Sequence, residues 1–503
     1  MEIISNTLKM FRGESLKAKS ARGMMKLGVG TGAERFLRLI RTMILTRIIA
    51  KDQFGLMAII LVLVNVFEQL SETGIKMAVT QNKRGNTYEF LNATWWVQAV
   101  RGILLFAVAM LAAPLVCSLL NKPYLLSYLQ VAMLAIIFRS FISPRAFTFQ
   151  REYKFGLMTL HMQGSALIGT IVTLVCAIYI RNIWVLVIGY VAEHFSIFVL
   201  SYIMAPFKPR FGIDKSCFKE LMIFAKGMFG LPIFNLVAFA TPTFVLGRAV
   251  SDEQLGLYAL ASQFVNIPLN LFTKIARPIM LPGFSKKQDD QSSLKRVVVK
   301  VSNTIASVTL PMVGYIIACS SALMVVLWGP GYIDSTISCA ILSLLIIARA
   351  QVPVMSAMYI AIGKPHLQRN IVVIQTLVVV LFIYPAVVNW GIAGAAVISV
   401  AGSCTALLIQ VIWAKKVLDL RFRDYIACYL PGLLMTFAPV ATVFILTLLR
   451  VDSLLLILIA GFLALLLAYF FHFIKYFLSG YRHVKAGTEK QSTSNLCNIA
   501  QVK

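Results

Sequence analysis

The chemistry-bearing residues of this chain sit in unusual company. Glu34, Arg35, Arg38 and Arg41 crowd into one apolar run, GAERFLRLIRTMILTR. At about 100° per residue, Glu34, Arg38 and Arg41 share a helical stripe, with Arg35 on its flank. That stripe is cationic overall and cannot face lipid. It lines a cavity, or the span starts later and these residues are cytosolic, or Glu34 and Arg38 simply pair at i,i+4. Asn65, Glu68, Glu72 and Lys76 follow at i, i+3, i+7 and i+11. Gln98 with Arg101, Glu193 with His194, and Arg349 with Gln351 lie inside other apolar runs. An ionisable group at such a depth costs several kcal/mol unless it meets a cavity or a partner, so each is a functional candidate. Gln263, Asn266 and Asn270 form a polar stripe suited to sugar hydroxyls or to bonding between helices. His161 reads as a satisfied core histidine.

The elements that hold these residues follow from composition. The chain has 503 residues, 59% hydrophobic and 13% charged, against roughly 45–50% and 25% in ordinary globular domains. Its mean hydropathy is +0.81. Soluble and disordered classes are excluded. With about 20 apolar residues needed per crossing helix, the expected fold is an all-α integral membrane protein of about 14 transmembrane helices. The apolar segments lie at 27–47, 55–79, 92–118, 125–143, 157–180, 183–204, 221–247, 255–279, 298–327, 336–361, 370–388, 391–413, 426–449 and 454–478.

Lys and Arg number 47 against 20 Asp and Glu, a net charge of +27. No nucleic-acid module accompanies that charge, so it is read as topology, with no nucleic-acid partner. Alternate connections are strongly basic, whereas the opposite ones hold Arg47, Lys51, Lys122, Arg181, Arg248 and Arg450. The positive-inside rule then puts both termini in the cytoplasm. The eight cysteines are scattered, with no C-x-x-C pair and no metal spacing. No paired carboxylates, G-x-S-x-G or phosphate-cradling loop suggest an enzyme, and no metal or cofactor is expected.

Two stretches match at an offset of 201: LTRIIAKDQFGLMAIILVLVN from Leu45 and LGRAVSDEQLGLYALASQFVN from Leu246. The identities include Arg47/Arg248, Gln53/Gln254, Gly55/Gly256 and Asn65/Asn266, which apolar coincidence does not readily align. Copies that enter from the same side imply two six-helix lobes related by a pseudo-two-fold along the membrane normal, plus two C-terminal helices, an architecture typical of transporters. The expected organisation is a cytoplasmic segment 1–26, a first lobe 27–204, a cytoplasmic linker 205–220, a second lobe 221–413, spans 13 and 14 at 425–478, and a cytoplasmic tail 479–503.

The repeated LTRIIAKDQFGLMAI and LGRAVSDEQLGLYALA, with SFISPRAFTFQREYKFG and YIMAPFKPRFGID, resemble the polysaccharide-transporter branch of the multidrug/oligosaccharidyl-lipid/polysaccharide exporter superfamily, including the Wzx-like and colanic-acid-type flippases. The likeness runs from about residue 20 to 480. It implies a multi-pass protein of the bacterial cytoplasmic membrane that moves undecaprenyl-diphosphate-linked oligosaccharides to the periplasmic leaflet by alternating access. The product would be a surface polysaccharide, with the polymerase and chain-length machinery as partners.

In such flippases a cationic central cavity receives the diphosphate and sugars. Arg35, Arg38, Arg41, Arg101 and Arg349 match that role by type, since a guanidinium binds phosphate oxygens through a fixed fork of donors. Gln98, Gln263, Asn266 and Asn270 are candidate sugar contacts. Glu34, Glu68, Glu72, Glu193 and His194 are candidates for ion coupling to Na+, H+ or the membrane potential. The first span lacks the lone acid in an otherwise uncharged helix that cation-coupled drug exporters of the superfamily often carry. A multidrug exporter of the same fold, or an integral-membrane polymerase or ligase, is the alternative.

Overall fold

The computed structural model describes residues 16–70, 74–228, 231–285 and 290–474. Among those residues there are helices and turns and no strand. The first half holds α1 (Leu16–Leu45), α2 (Lys51–Leu70), α3 (Ile75–Gln81), α4 (Tyr88–Leu119), α5 (Leu126–Ser140), α6 (Phe155–Tyr179) and α7 (Trp184–Met204). Next come α8 (Lys215–Met228), α9 (Leu231–Ala249), α10 (Asp252–Ser285), α11 (Gln291–Ala318), α12 (Ser320–Trp328), α13 (Thr336–Ala361), α14 (Pro365–Leu418) and α15 (Leu430–Leu448). A last helix, α16, covers Leu454–Ile474.

Among the described residues, ten segments are long and apolar enough to cross a membrane. The charged stripe of α1 and the polar stripe of α10 keep those two helices out of the ten. One of the ten bends back on itself: α14 is two legs meeting at Gly391, whose φ of 55° and ψ of −136° are not helical.

Three expected segments differ in outline. α1 begins well before residue 27, because Lys, Ala, Met and Arg continue a helix past the point where hydropathy ends. The expected span 55–79 is broken: α2 stops at Leu70, and α3 starts after Gly74 at φ 63°. Asn65, Glu68 and Lys76 therefore do not share one helical face, and Glu72 lies outside the described residues. The expected span 298–327 is likewise split between α11 and α12 at Cys319.

The same order of neighbours recurs in both halves. α1 packs on α6, α6 on α7, α7 on α5 and α5 on α4; α9 packs on α14, α14 on α13 and α13 on α11. The halves meet through α2 and α10, the two copies of the repeat. A Cβ on Gly55 would lie 2.2 Å from the Asp252 carbonyl oxygen, and one on Gly256 would lie 2.1 Å from the Lys51 carbonyl oxygen. Lys51 and Asp252 are also 201 apart, so the contact is reciprocal, as an isologous interface requires.

Arg47 donates to the carbonyls of Val326 (2.9 Å) and Leu327 (3.0 Å) at the end of α12. Its equivalent Arg248 donates to the Leu119 carbonyl at the end of α4. Each copy thus caps a helix C-terminus of the other half, where cations are favoured. Lys51 Nζ reaches Glu253 Oε1 at 2.7 Å, and Asp252 accepts from Lys122 and from the Tyr124 hydroxyl.

The apolar core explains what this junction leaves open. One contiguous cluster draws on both halves, including Ile60, Met133, Leu257, Trp328 and Ile346. At the other end the clusters are separate. One lies wholly in the second half around Phe284, Met355 and Tyr359, and another packs Leu221 of α8 against Val79 and Phe90 of the first half. Among the described residues the halves share one core at the basic-poor end, whereas at the basic-rich end their clusters are separate except where α8 packs on α3 and α4.

Candidate functional site: a cationic cavity between the halves

Between α1, α2, α7 and α10 lies a cavity of about 710 Å³. α1 contributes Arg35, Arg38, Arg41 and Thr42, and α7 contributes Tyr190, Glu193 and His194. From α10 come Tyr258, Ser262, Gln263, Asn266 and Asn270. Helical periodicity does the placing: residues at i, i+3 and i+4 share a face, so α1 and α10 each turn one polar stripe inward.

Arg38 is the most constrained cation. Its Nε donates to Glu34 Oε1 at 3.0 Å, while Nη1 and Nη2 donate to the two Glu193 oxygens at 3.0 and 2.5 Å. This is a fork-to-carboxylate pair. Gly169 on α6 makes room for it, because a Cβ there would stand 2.6 Å from Glu193 Cβ. Arg35 and Arg41 differ in kind: each has a buried Nε without a hydrogen-bond partner. The positive charge left to the cavity is carried by those two.

The opposite wall is neutral and polar. Gln263 Nε2 donates to Thr42 Oγ1 at 3.2 Å, tying α10 to α1. Asn266 donates to Ser262, and Asn65 to the Leu61 carbonyl. Asn65 and Asn266 are repeat equivalents, and both line this cavity. His194 is held through Nδ1 on the Tyr190 carbonyl at 2.8 Å. His161 is buried, with Nε2 on the Ile197 carbonyl at 2.9 Å.

Not every expected residue comes here. Glu34 is not among the lining residues; it accepts from Arg38 and from Gln163 Nε2 at 3.5 Å. Glu68 pairs with Arg139 rather than with a first-span arginine, and Gln98 and Arg101 line a second cavity with it. Arg349 is among the lining residues of neither cavity; its Nε faces Ser403 Oγ at 3.4 Å. Sequence reasoning missed Arg139, assigned to a connection but set in the last turn of α5 facing both cavities. It also missed Tyr258 and Ser262, although Tyr258, Ser262, Asn266 and Asn270 recur every four residues. Among the described residues, no three His, Cys, Asp or Glu side chains gather as a metal site would require.

A helical bundle with one core shared by two repeated halves and a charged cavity at their junction is the architecture of a multi-pass membrane protein. Residues 44–338 match the family described as "Polysaccharide biosynthesis protein", and the chain belongs to that family. It is 24% identical over 303 residues to the lipopolysaccharide biosynthesis protein WzxC of Escherichia coli (strain K12), a match that spans 59% of this chain and 61% of that protein. Its fold is similar to that of the lipid II flippase MurJ in an inward closed conformation, with TM-score 0.71 and 15% identity over 90% of this chain and 99% of that one. A multidrug resistance MATE transporter of the MOP superfamily, inward-facing, follows at TM-score 0.59 and 12% identity, covering 83% and 98%.

Proposed function

We propose that this chain is a flippase for a polyprenyl-diphosphate-linked oligosaccharide, working by alternating access between two six-helix lobes in the bacterial cytoplasmic membrane. The observation that carries the reading is the α1 arginine stripe inside the cavity between the halves, with Arg35 and Arg41 each keeping an unpartnered Nε. A diphosphate is the anion that such fixed forks suit. Gln263, Asn266 and Asn270 supply neutral donors and acceptors for the first sugars. The basic-rich end is the cytoplasmic one by the positive-inside rule, with both termini there. The cavity therefore loads from the cytoplasm, and the junction of α2 with α10 must part to release toward the periplasm.

A drug exporter needs an anionic cavity for cationic drugs, and the lining here carries more arginine than carboxylate. Glu193, ion-paired with Arg38, is the proposed coupling group: its carboxylate leaves Arg38 when the substrate arrives. The polysaccharide polymerase and chain-length proteins are the proposed downstream partners.

The test is deletion of the gene in its host, with surface polymer and membrane-bound lipid-linked repeat units both quantified. Loss of polymer with accumulation of complete lipid-linked units is expected. Arg41→Ala should fail to complement and Arg41→Lys should restore part of the polymer. Normal polymer in the deletion strain, or full complementation by Arg41→Ala, would remove the assignment.

A further inference from the structure

We propose that the linker 205–214 and the first turns of α8 form a docking surface for the anionic phospholipid headgroups of the membrane, with the Phe211 ring inserted among them. The surface stands on a fixed base. Tyr88, Asn92 and Trp96 recur every four residues on α4 and hold the linker by its backbone. The Tyr88 hydroxyl donates to the Lys208 carbonyl at 2.8 Å, and Trp96 Nε1 donates to the Arg210 carbonyl at 2.9 Å. Asn92 Nδ2 donates to the Arg210 and Gly212 carbonyls at 3.1 and 2.7 Å, while its Oδ1 accepts from the Arg210 N–H at 2.9 Å.

Between those fixed points Phe211 is turned outward and is 96% exposed. Its ring meets Trp96, with centroids 5.6 Å apart, and Trp96 in turn meets Trp95 at 5.1 Å. Aromatic rings of this kind gather where a bilayer meets water. A phenyl ring held in water by a fixed backbone is unfavourable, and the boundary between headgroups and acyl chains removes that cost. Ile213, Phe218 and Ile223 follow it along the chain and are exposed as well.

The charges around the ring select the kind of lipid. Lys208, Arg210, Lys215 and Lys219 are all exposed. The two carboxylates of the same stretch are already engaged. Asp214 accepts from the backbone N–H groups of Ser216 and Cys217, and Glu220 accepts from Asn82 at 2.7 Å and from Arg84 at 3.3 Å. Cys217 and Leu221 of α8 are buried against the first half, so Lys215 and Lys219 share the opposite face at i,i+4. Arg210 is steadied over the Tyr88 ring at 5.0 Å. Cations set around an exposed aromatic ring match a headgroup that carries phosphate and a net negative charge. An acidic protein partner would pair with the lysines, whereas the exposed phenyl and aliphatic side chains favour the lipid. The inference stands on these residues and is independent of the transported substrate.

The experiment uses the purified full chain with Phe211→Trp as the probe and the wild-type emission subtracted. It is reconstituted in vesicles that contain brominated phosphatidylglycerol or brominated phosphatidylcholine at the same mole fraction. Brominated phosphatidylglycerol should quench the added tryptophan at least about twofold more than brominated phosphatidylcholine, and high salt should abolish the difference. Lys208→Gln, Lys215→Gln and Lys219→Gln together, in the Phe211→Trp chain, should remove most of that difference. All three lysines are exposed, so the thermal midpoint should stay where it was. Equal quenching by the two lipids at low salt overturns the proposal, as does a preference for phosphatidylglycerol that survives the three replacements. Quenching by aqueous iodide but by neither lipid also overturns it, and assigns the surface to an acidic protein partner instead.

Discussion

Glu193 holds Arg38 through both carboxylate oxygens, 155 positions along the chain, and Glu34 takes the remaining Nε of the same guanidinium. The central arginine of the α1 stripe is thus already neutralised, and an incoming diphosphate competes with a carboxylate for it. Glu193→Gln should tighten inorganic pyrophosphate binding about tenfold, the scale of one charge-assisted contact. Calorimetry at two salt concentrations checks this, and unchanged or weaker binding in a folded variant would sink the competition. Arg38→Ala is the opposite case: it leaves Glu193 buried without its partner and should cost about 3–5 kcal/mol of stability.

The reciprocal contact of Gly55 with Gly256 predicts equivalent behaviour at distant positions. Gly55→Ala and Gly256→Ala each drive a methyl into a backbone carbonyl of the other copy. Overpacking of this kind costs about 1–3 kcal/mol. The two variants should lower the thermal midpoint in detergent by similar amounts, and a large effect from one with none from the other would contradict the reciprocity.

The ion pairs at the same junction are not equal. Lys51 and Glu253 have side chains 28% and 58% exposed, so their pair is worth about 0–1 kcal/mol. Lys122 and Asp252 are at 11% and 20%, and Asp252 also accepts from Tyr124 at 2.6 Å. Lys122→Ala strands a largely buried carboxylate and should cost several times more than Lys51→Ala, up to about 3–5 kcal/mol. Denaturation midpoints of the two variants make the comparison.

Outside the spans, the start of α8 carries a pH dependence. The Asp214 carboxylate accepts from the Ser216 hydroxyl and from the backbone N–H groups of Cys217 and Ser216. Those bonds hold its pKa down to about 2, against about 3.9 for a free aspartate. A depressed pKa contributes stability that is present above about pH 4 and is lost as pH falls through about 2. Hydrogen exchange at Ser216 and Cys217 should accelerate over that range, and Asp214→Asn should abolish the dependence. Asp290, which caps α11 through Ser292 and Ser293, has its pKa lowered by the same kind of bonds.

Much of the architecture was legible in the chain because its causes are local. Hydropathy marks the membrane helices, a 100° step turns Arg38 and Arg41 to one face, and the offset of 201 exposes the repeat whose copies then touch at Gly55 and Gly256. Helix ends were less legible, since α1 continues beyond its apolar run and Gly74 interrupts the second span for backbone reasons that hydropathy does not register. The partners of the charges were decided only by the tertiary structure. Glu68 and Glu193 are equally buried-looking carboxylates in sequence, yet one meets Arg139 and the other Arg38, while Arg349 is turned toward Ser403. Periodicity gives the face of a helix, but a pair energy falls with distance and burial in three dimensions, so which arginines remain to meet a substrate is settled by how the helices pack.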